Sequence, residues 1–134
     1  MTNTITDIKR PVNVHKTYHA HVYFDSDTKE IARGVCDKIA QQFDLKIGRF
    51  HERLVGPHPR WSCQVTFRAK HFDEFIPWLD ANREGLTIFI HGLTGDYLKD
   101  HTDYAYWLEQ SVELNLEMFQ PNRIRRFAQN LNII

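Results

Sequence analysis

A chain of 134 residues with 17 Lys plus Arg against 17 Asp plus Glu has no net charge with which to hold a polyanion by counterion release, which excludes DNA or RNA as its main partner. Its length excludes a second independent core, and 42% hydrophobic with 25% charged residues excludes bulk disorder. No run of about 18 apolar residues occurs, and the opening MTNTITDIKRPVNVHK lacks the apolar stretch of a secretory signal, so no membrane partner and a cytoplasmic location are expected.

In chain order, residues 1–16 show neither a strand nor a helix period and contain Pro11. They are expected to form a flexible arm, or a segment draped over the fold, ahead of a single domain spanning 17–134. From Tyr18, the stretch YHAHVYFD alternates as a half-buried strand does. Tyr18, Ala20, Val22 and Phe24 take one face, and His19, His21, Tyr23 and Asp25 the other. Asp27 followed by Glu30 resembles a capping box and predicts a helix start. Ile31, Val35, Ile39 and Phe43, with Ala32, Cys36 and Ala40 beside them, then form one apolar stripe.

Lys46 to Val55 and Trp61 to Phe67 read as two strands of a hairpin whose loop, GPHPR, is kept irregular by its prolines and glycine. A second helix is predicted within HFDEFIPWLDANRE, with Phe72, Phe75, Ile76 and Leu79 on one face and Pro77 as a source of a kink. Leu86 to His91 reads as a strand with Leu86, Ile88 and Ile90 inward and Thr87, Phe89 and His91 outward. YLKDHTDYAYWLE predicts a short helix, EQSVELNLEMF fits strand or helix, and RIRRFAQNL predicts a helix. Its Arg123, Arg125 and Arg126 read as a solvated face rather than an anion grip. Cys36 and Cys63, on a predicted helix and a predicted strand, read as reduced core residues.

Strand, helix, strand, strand, helix, strand is the split βαβ order of a ferredoxin-like α+β domain. It implies an antiparallel sheet with two helices on one face, followed here by a C-terminal extension. In that topology the first strand lies between the third and fourth and runs opposite to both. The other face is expected to be open and to carry His19, His21, Tyr23, Thr87 and His91.

Of the eight histidines, His19 and His21 lie about 7 Å apart along one face of the first strand, and His91 ends the strand beside them. Three imidazoles can converge there. Neutral imidazoles bind divalent first-row metals, and a cluster with open positions suits non-haem Fe(II), with Zn(II) or another divalent ion as the alternative. The ligand set is either all histidine or recruits Asp100 or Asp103. His101 returns near His91 as ligand or acid/base. His58 reaches the cluster only if its loop folds over the sheet or a second subunit supplies it. His15, His51 and His71 read as ordinary polar residues. Tyr23 and Phe89 are the candidate substrate-binding walls, while Trp61, Trp78 and Trp107 read as core.

YHAHVYFD, VGPHP and IHGLTGDYLKDHTDYAYWL, in this order and spacing, resemble the motifs of the DOPA 4,5-dioxygenase family across about Tyr18 to Leu116. The resemblance implies a ferredoxin-like fold, a non-haem metal, extradiol cleavage of a catechol such as DOPA by dioxygen, and a homodimer. Carried over by motif, the positions of interest are His19, His21, His58, His91 and His101. Two residues depart from the pattern: Gly92 stands where a proline would follow the strand histidine, and Glu109 where a glycine would follow Trp107 and Leu108.

The expected function is therefore extradiol cleavage of a small aromatic diol, with His19, His21 and His91 holding the metal and His58 or His101 moving the proton. A non-catalytic ligand-binding or dimeric interaction module is the alternative, because fold does not fix chemistry. A zinc enzyme that activates water is a third reading.

Overall fold

The computed structural model describes residues 8–119, so the helix expected at Arg123 to Leu131 lies outside the described residues. The elements are β1 (Thr17–Phe24), α1 (Lys29–Gln42), β2 (Lys46–His51), β3 (Trp61–Arg68), α2 (Ala69–Asn82), β4 (Ile88–Gly92), α3 (Tyr97–Asp100), β5 (Ala105–Leu108) and a 3-10 turn at Glu117–Phe119. The sheet runs β2-β3-β1-β4-β5. Its first four strands have the expected ferredoxin-like order, with β1 antiparallel to both β3 and β4.

The alternation of β1 puts Tyr18, Ala20, Val22 and Phe24 into the main core. There they meet Ala32, Val35, Cys36 and Ile39 of α1, and Phe72, Phe75, Ile76 and Leu79 of α2. Each such Val, Ile, Leu or Phe stabilises the fold by roughly 1.5–3 kcal/mol on burial. The α2 stripe is the one its sequence period marks, and Pro77 is accommodated inside the helix. The α1 stripe is narrower than its period suggests: Ile31 is exposed and Ala40 faces solvent. Cys36 and Cys63 are free and buried, both within the main core.

Several local expectations are corrected. The entry to α1 is not a capping box. Asp25 Oδ1 accepts from the backbone N–H groups of Asp27 and Thr28 and from the Thr28 hydroxyl, so an Asx turn sets the helix start. β2 is shorter than read and ends at His51. The segment read as one helix after Asp96 splits into α3 and a fifth strand, whose alternation sends Tyr106 and Leu108 into the main core and Ala105 and Trp107 to the opposite face.

The second face is not open. Tyr23, Phe89, Ala105 and Trp107 form a second apolar cluster there, packed against Ile8, Val112 and Leu114. β1 is consequently buried along both faces from Tyr18 onward. Two segments without regular structure close over this side. The segment before β1 reaches it at Ile8, with Trp107 N–H donating to the Lys9 carbonyl at 2.8 Å, while His15 further along contacts the main-core residue Tyr106, its Nε2 2.8 Å from the hydroxyl. The extended stretch 110–116 turns Val112, Leu114 and Leu116 inward and donates from Asn115 N–H to the Pro57 carbonyl at 2.9 Å, tying it to the hairpin loop. No helix among the described residues is long and apolar enough to cross a membrane.

Candidate metal centre

Antiparallel pairing places His19 directly opposite His91 and His21 opposite Phe89. His21 is then the diagonal neighbour of His91 on the same face, within reach of a ring as long as imidazole. The rings converge: His19 and His91 centroids are 5.2 Å apart, His21 and His91 5.1 Å, and His19 and His21 5.6 Å. One ring nitrogen from each lies within 4.8 Å of the others, and all three residues are buried.

His21 Nε2 and His91 Nε2 stand at hydrogen-bond distance, a separation that two ligands of one ion also adopt. His91 Nδ1 donates to the Gly92 carbonyl at 2.8 Å, leaving the Nε2 lone pair directed at His21 Nε2, 3.1 Å away. Two nitrogens bound to one ion at 2.0–2.2 Å, at right angles, are about 3 Å apart. Burial holds His21 and His91 well below the ordinary imidazole pKa, with neighbouring histidines adding to the effect, so both rings are neutral.

Two more imidazoles join this group. The hairpin loop does fold over the face: His58 is buried, its centroid 4.1 Å from His21, and its Nδ1 is 2.8 Å from the Tyr23 hydroxyl. Burial raises the Tyr23 pKa well above its usual value, so the phenol keeps its proton and donates it to Nδ1. The His58 ring proton is therefore on Nε2. His101, 4.4 Å from His91 and stacked on Phe119 at 4.6 Å, has the opposite tautomer. Its Nδ1 donates to the Tyr97 carbonyl at 2.7 Å, and its buried Nε2 has no hydrogen-bond partner. Burial pushes His58 down to about 3 and His101 down to about 4.

A buried lone pair without a donor costs about 1–3 kcal/mol. At His101 Nε2 that cost stands 4.4 Å, ring to ring, from His91 and beside the buried imidazoles of His19, His21 and His91, whose ring nitrogens converge within 4.8 Å, a donor set of the kind a divalent cation satisfies. The residues present fit a metal ion held by His19, His21 and His91. The carboxylates considered from sequence do not enter the cluster. Asp100 is buried but spends both oxygens on Thr94, accepting from its N–H at 3.0 Å and its hydroxyl at 2.6 Å, while Asp103 is exposed.

Tyr23 and Phe89, expected as substrate walls, are fully buried behind the histidines and line neither cleft at the site. Tyr23 orients His58, and Phe89 stacks on His21 at 5.6 Å and on Trp107 at 4.8 Å. Trp107, read from sequence as main core, belongs to this backing layer because its segment is a strand. The YAYWL alternation was the available signal.

A cleft of about 660 Å³ opens onto His19, His21 and His58 and is walled by Lys46, Gly48, Arg49, His51 and Arg53. Sequence reasoning passed over this wall, and took His51 as an ordinary surface residue. A second cleft, of about 680 Å³, reaches the group only at His101 and lies along Trp107 and residues 111–116. His15, likewise read as ordinary, packs on Tyr104 at 4.5 Å and fills the space above Gly92, where a Cβ would come within 2.8 Å of its ring.

Residues 18–118 match the model of the Dopa 4,5-dioxygenase family. The chain is 33% identical over 127 residues to an uncharacterized 21.2 kDa protein of Botryotinia fuckeliana, covering 86% of this chain and 69% of that one. It is 27% identical over 110 residues to a DOPA 4,5-dioxygenase of Amanita muscaria, covering 75% of this chain and 48%, about half, of the length of that enzyme. The crystal structure of a "putative dioxygenase" from Nostoc punctiforme superposes with a TM-score of 0.75 at 37% identity, covering 84% of this chain and 94% of that one.

Proposed function

The chain belongs to the Dopa 4,5-dioxygenase family, and from that membership we propose that it is a metal-dependent extradiol dioxygenase acting on a catechol, with His19, His21 and His91 holding non-haem iron(II). The observation that carries this reading is the convergence of His19, His21 and His91, with one ring nitrogen of each within 4.8 Å of the others, beside a substrate-sized cleft that opens onto His19 and His21. When bound, iron(II) supplies Lewis acidity toward a diol and a route for electron density between diol and dioxygen.

The chain's own residues divide the remaining work. Phe89, Trp107 and Tyr23 back the histidines with apolar surface and exclude water from behind. His58, held by Tyr23 with its proton on Nε2, is a neutral hydrogen-bond donor at the cleft. His101, whose Nε2 has no hydrogen-bond partner and whose ring is 4.4 Å from His91, is the acceptor for a proton released on the His91 side of the triad. Opposite tautomers thus assign opposite roles to two histidines on either side of the triad.

The test is metal stoichiometry together with catechol-dependent oxygen uptake on iron-reconstituted protein. Stoichiometric iron with uptake supports the proposal. Absence of uptake with every catechol overturns it, tightly held zinc without uptake indicates the hydrolytic reading, and failure to bind any metal indicates a binding module. His21→Ala and His91→Ala are each expected to abolish metal retention while leaving the far-ultraviolet circular dichroism unchanged, because the main core lies on the other side of the sheet.

A further inference from the structure

We propose that the cleft selects catechols whose ring substituent ends in a free carboxylate, unaccompanied by an ammonium group, and that Arg49 and Arg53 are the residues that recognise it. The inference rests on the proposed reaction at the same site and deepens it to a substrate class.

Its origin is an irregularity in β2. The β2–β3 ladder pairs Ile47 with Val65 and Phe50 with Cys63, so three steps on β2 oppose two on β3. One extra residue is inserted, which is a β-bulge. Ile47 and Phe50 both pack against the main core despite being an odd number of positions apart. The residues between them, Gly48 and Arg49, are therefore both given to the cleft, together with Lys46 before the bulge and His51 and Arg53 after it. A regular strand would present only alternate residues. Gly48 keeps this wall close to β3, since a Cβ there would stand 3.3 Å from the Gln64 carbonyl oxygen.

The resulting wall is one-sided in charge. Lys46, Arg49 and Arg53 line the cleft, and among the described residues no Asp or Glu does. Glu52, the acid between them in sequence, faces α1, 3.0 Å from Lys29 Nζ and 4.0 Å from Arg33 Nη2. Among the described residues, Lys46, Arg49 and Arg53 form no ion pair. His51 adds no charge: burial first, then Arg53 and Arg49, lowers its pKa. A bound molecule therefore meets imidazoles on one side and two guanidinium groups with an ammonium on the other.

Guanidinium recognises carboxylate by paired hydrogen bonds, which are stronger when both partners are charged. A catechol with its diol at the histidines and a carboxylate on its tail satisfies both ends of the cleft. A zwitterionic tail brings an ammonium that finds no acidic partner, and a cationic tail meets like charge.

The experiment compares four catechols of one ring type: 3-(3,4-dihydroxyphenyl)propionate, DOPA, dopamine and 4-methylcatechol. It uses turnover by iron-reconstituted protein and titration calorimetry on metal-free protein. In both, the propionate is expected to lead by about tenfold or more, the factor that a charged hydrogen bond of roughly 1.5–3 kcal/mol provides, and its binding advantage is expected to shrink with added salt. In the Arg49→Gln/Arg53→Gln double variant the propionate to 4-methylcatechol ratio is expected to fall toward one. DOPA or dopamine matching the propionate, or a ratio unchanged in the double variant, overturns the inference. Turnover without charge preference sinks it while leaving the proposed reaction intact. Preferential propionate binding without turnover of any catechol sinks the reaction and leaves the anion site standing.

Discussion

Tyr23 is a residue whose one polar atom has one task. Its hydroxyl fixes which nitrogen of His58 carries the proton, and its ring is buried against Phe89 and Trp107. Tyr23→Phe keeps the ring and removes the bond, so the stability cost is expected to be about 1 kcal/mol in thermal unfolding. With Nδ1 released, His58 is free to take the other tautomer, and kcat is expected to fall at least about tenfold with KM little changed. Equal kcat in the variant would show that this tautomer is irrelevant to the reaction. Glu109 is the opposite case, a residue in a backbone conformation made for another. It stands at φ 84°, in the left-handed region, with its carboxylate 2.6 Å from Arg83 Nη1. The glycine that the resemblance leads one to expect at this position would suit that backbone, so the two departures noted in the sequence have physical partners: strain with an ion pair at Glu109, and a packed His15 ring above Gly92. Glu109→Gly is expected to be more stable than Glu109→Ala by about 1 kcal/mol in denaturant unfolding, since both lose the ion pair and only glycine relieves the backbone.

At the level of elements, period was the readable signal. The alternation of β1 and the four-residue spacing of α2 gave elements and buried faces together, because each repeat is set by local backbone geometry. His19, His21 and His91 could be placed from the same logic, since a strand's parity and an antiparallel pairing fix which side chains share a face. What escaped was set by partners distant in sequence. AYWL is too short for its period to decide between helix and strand, and it is a strand because β4 offers an edge. Residues 110–116 alternate as a strand would, yet they close over the site without joining the sheet. The bulge in β2 depends on β3 and on the core requirements of Ile47 and Phe50, which a single strand's sequence does not state. The hairpin loop's fold-over is likewise held by a remote contact, Asn115 N–H to the Pro57 carbonyl. Asn115→Pro deletes that donor on an exposed residue. The expected result is faster amide exchange at His58, whose N–H donates to the Val55 carbonyl, and reduced turnover, with about 1 kcal/mol lost globally. Unchanged exchange at His58 would show that the loop is held by its prolines alone.

For the whole molecule, the sheet separates two environments: an apolar core under α1 and α2, and a histidine-rich layer backed by aromatics. Burying neutral imidazoles ties stability to pH. In metal-free protein His58 and His101 sit at about 3 and about 4, below the ordinary 6.5 that the unfolded chain regains. Between those values the unfolded state binds more protons, so stability is full above about pH 6.5 and is lost as pH falls toward 4 and then 3. The midpoint of thermal unfolding of metal-free protein is expected to drop steadily across that window. A flat profile would mean that water reaches the rings.

The neutrality of His21 and His91 also governs what enters solution when an ion arrives. Metal uptake by histidine peptides commonly expels protons, because imidazolium must first be discharged. Here folding has already done so for these two residues. Calorimetric heats of ion uptake near pH 7 should consequently be almost the same in phosphate and in Tris, whose ionisation enthalpies differ widely.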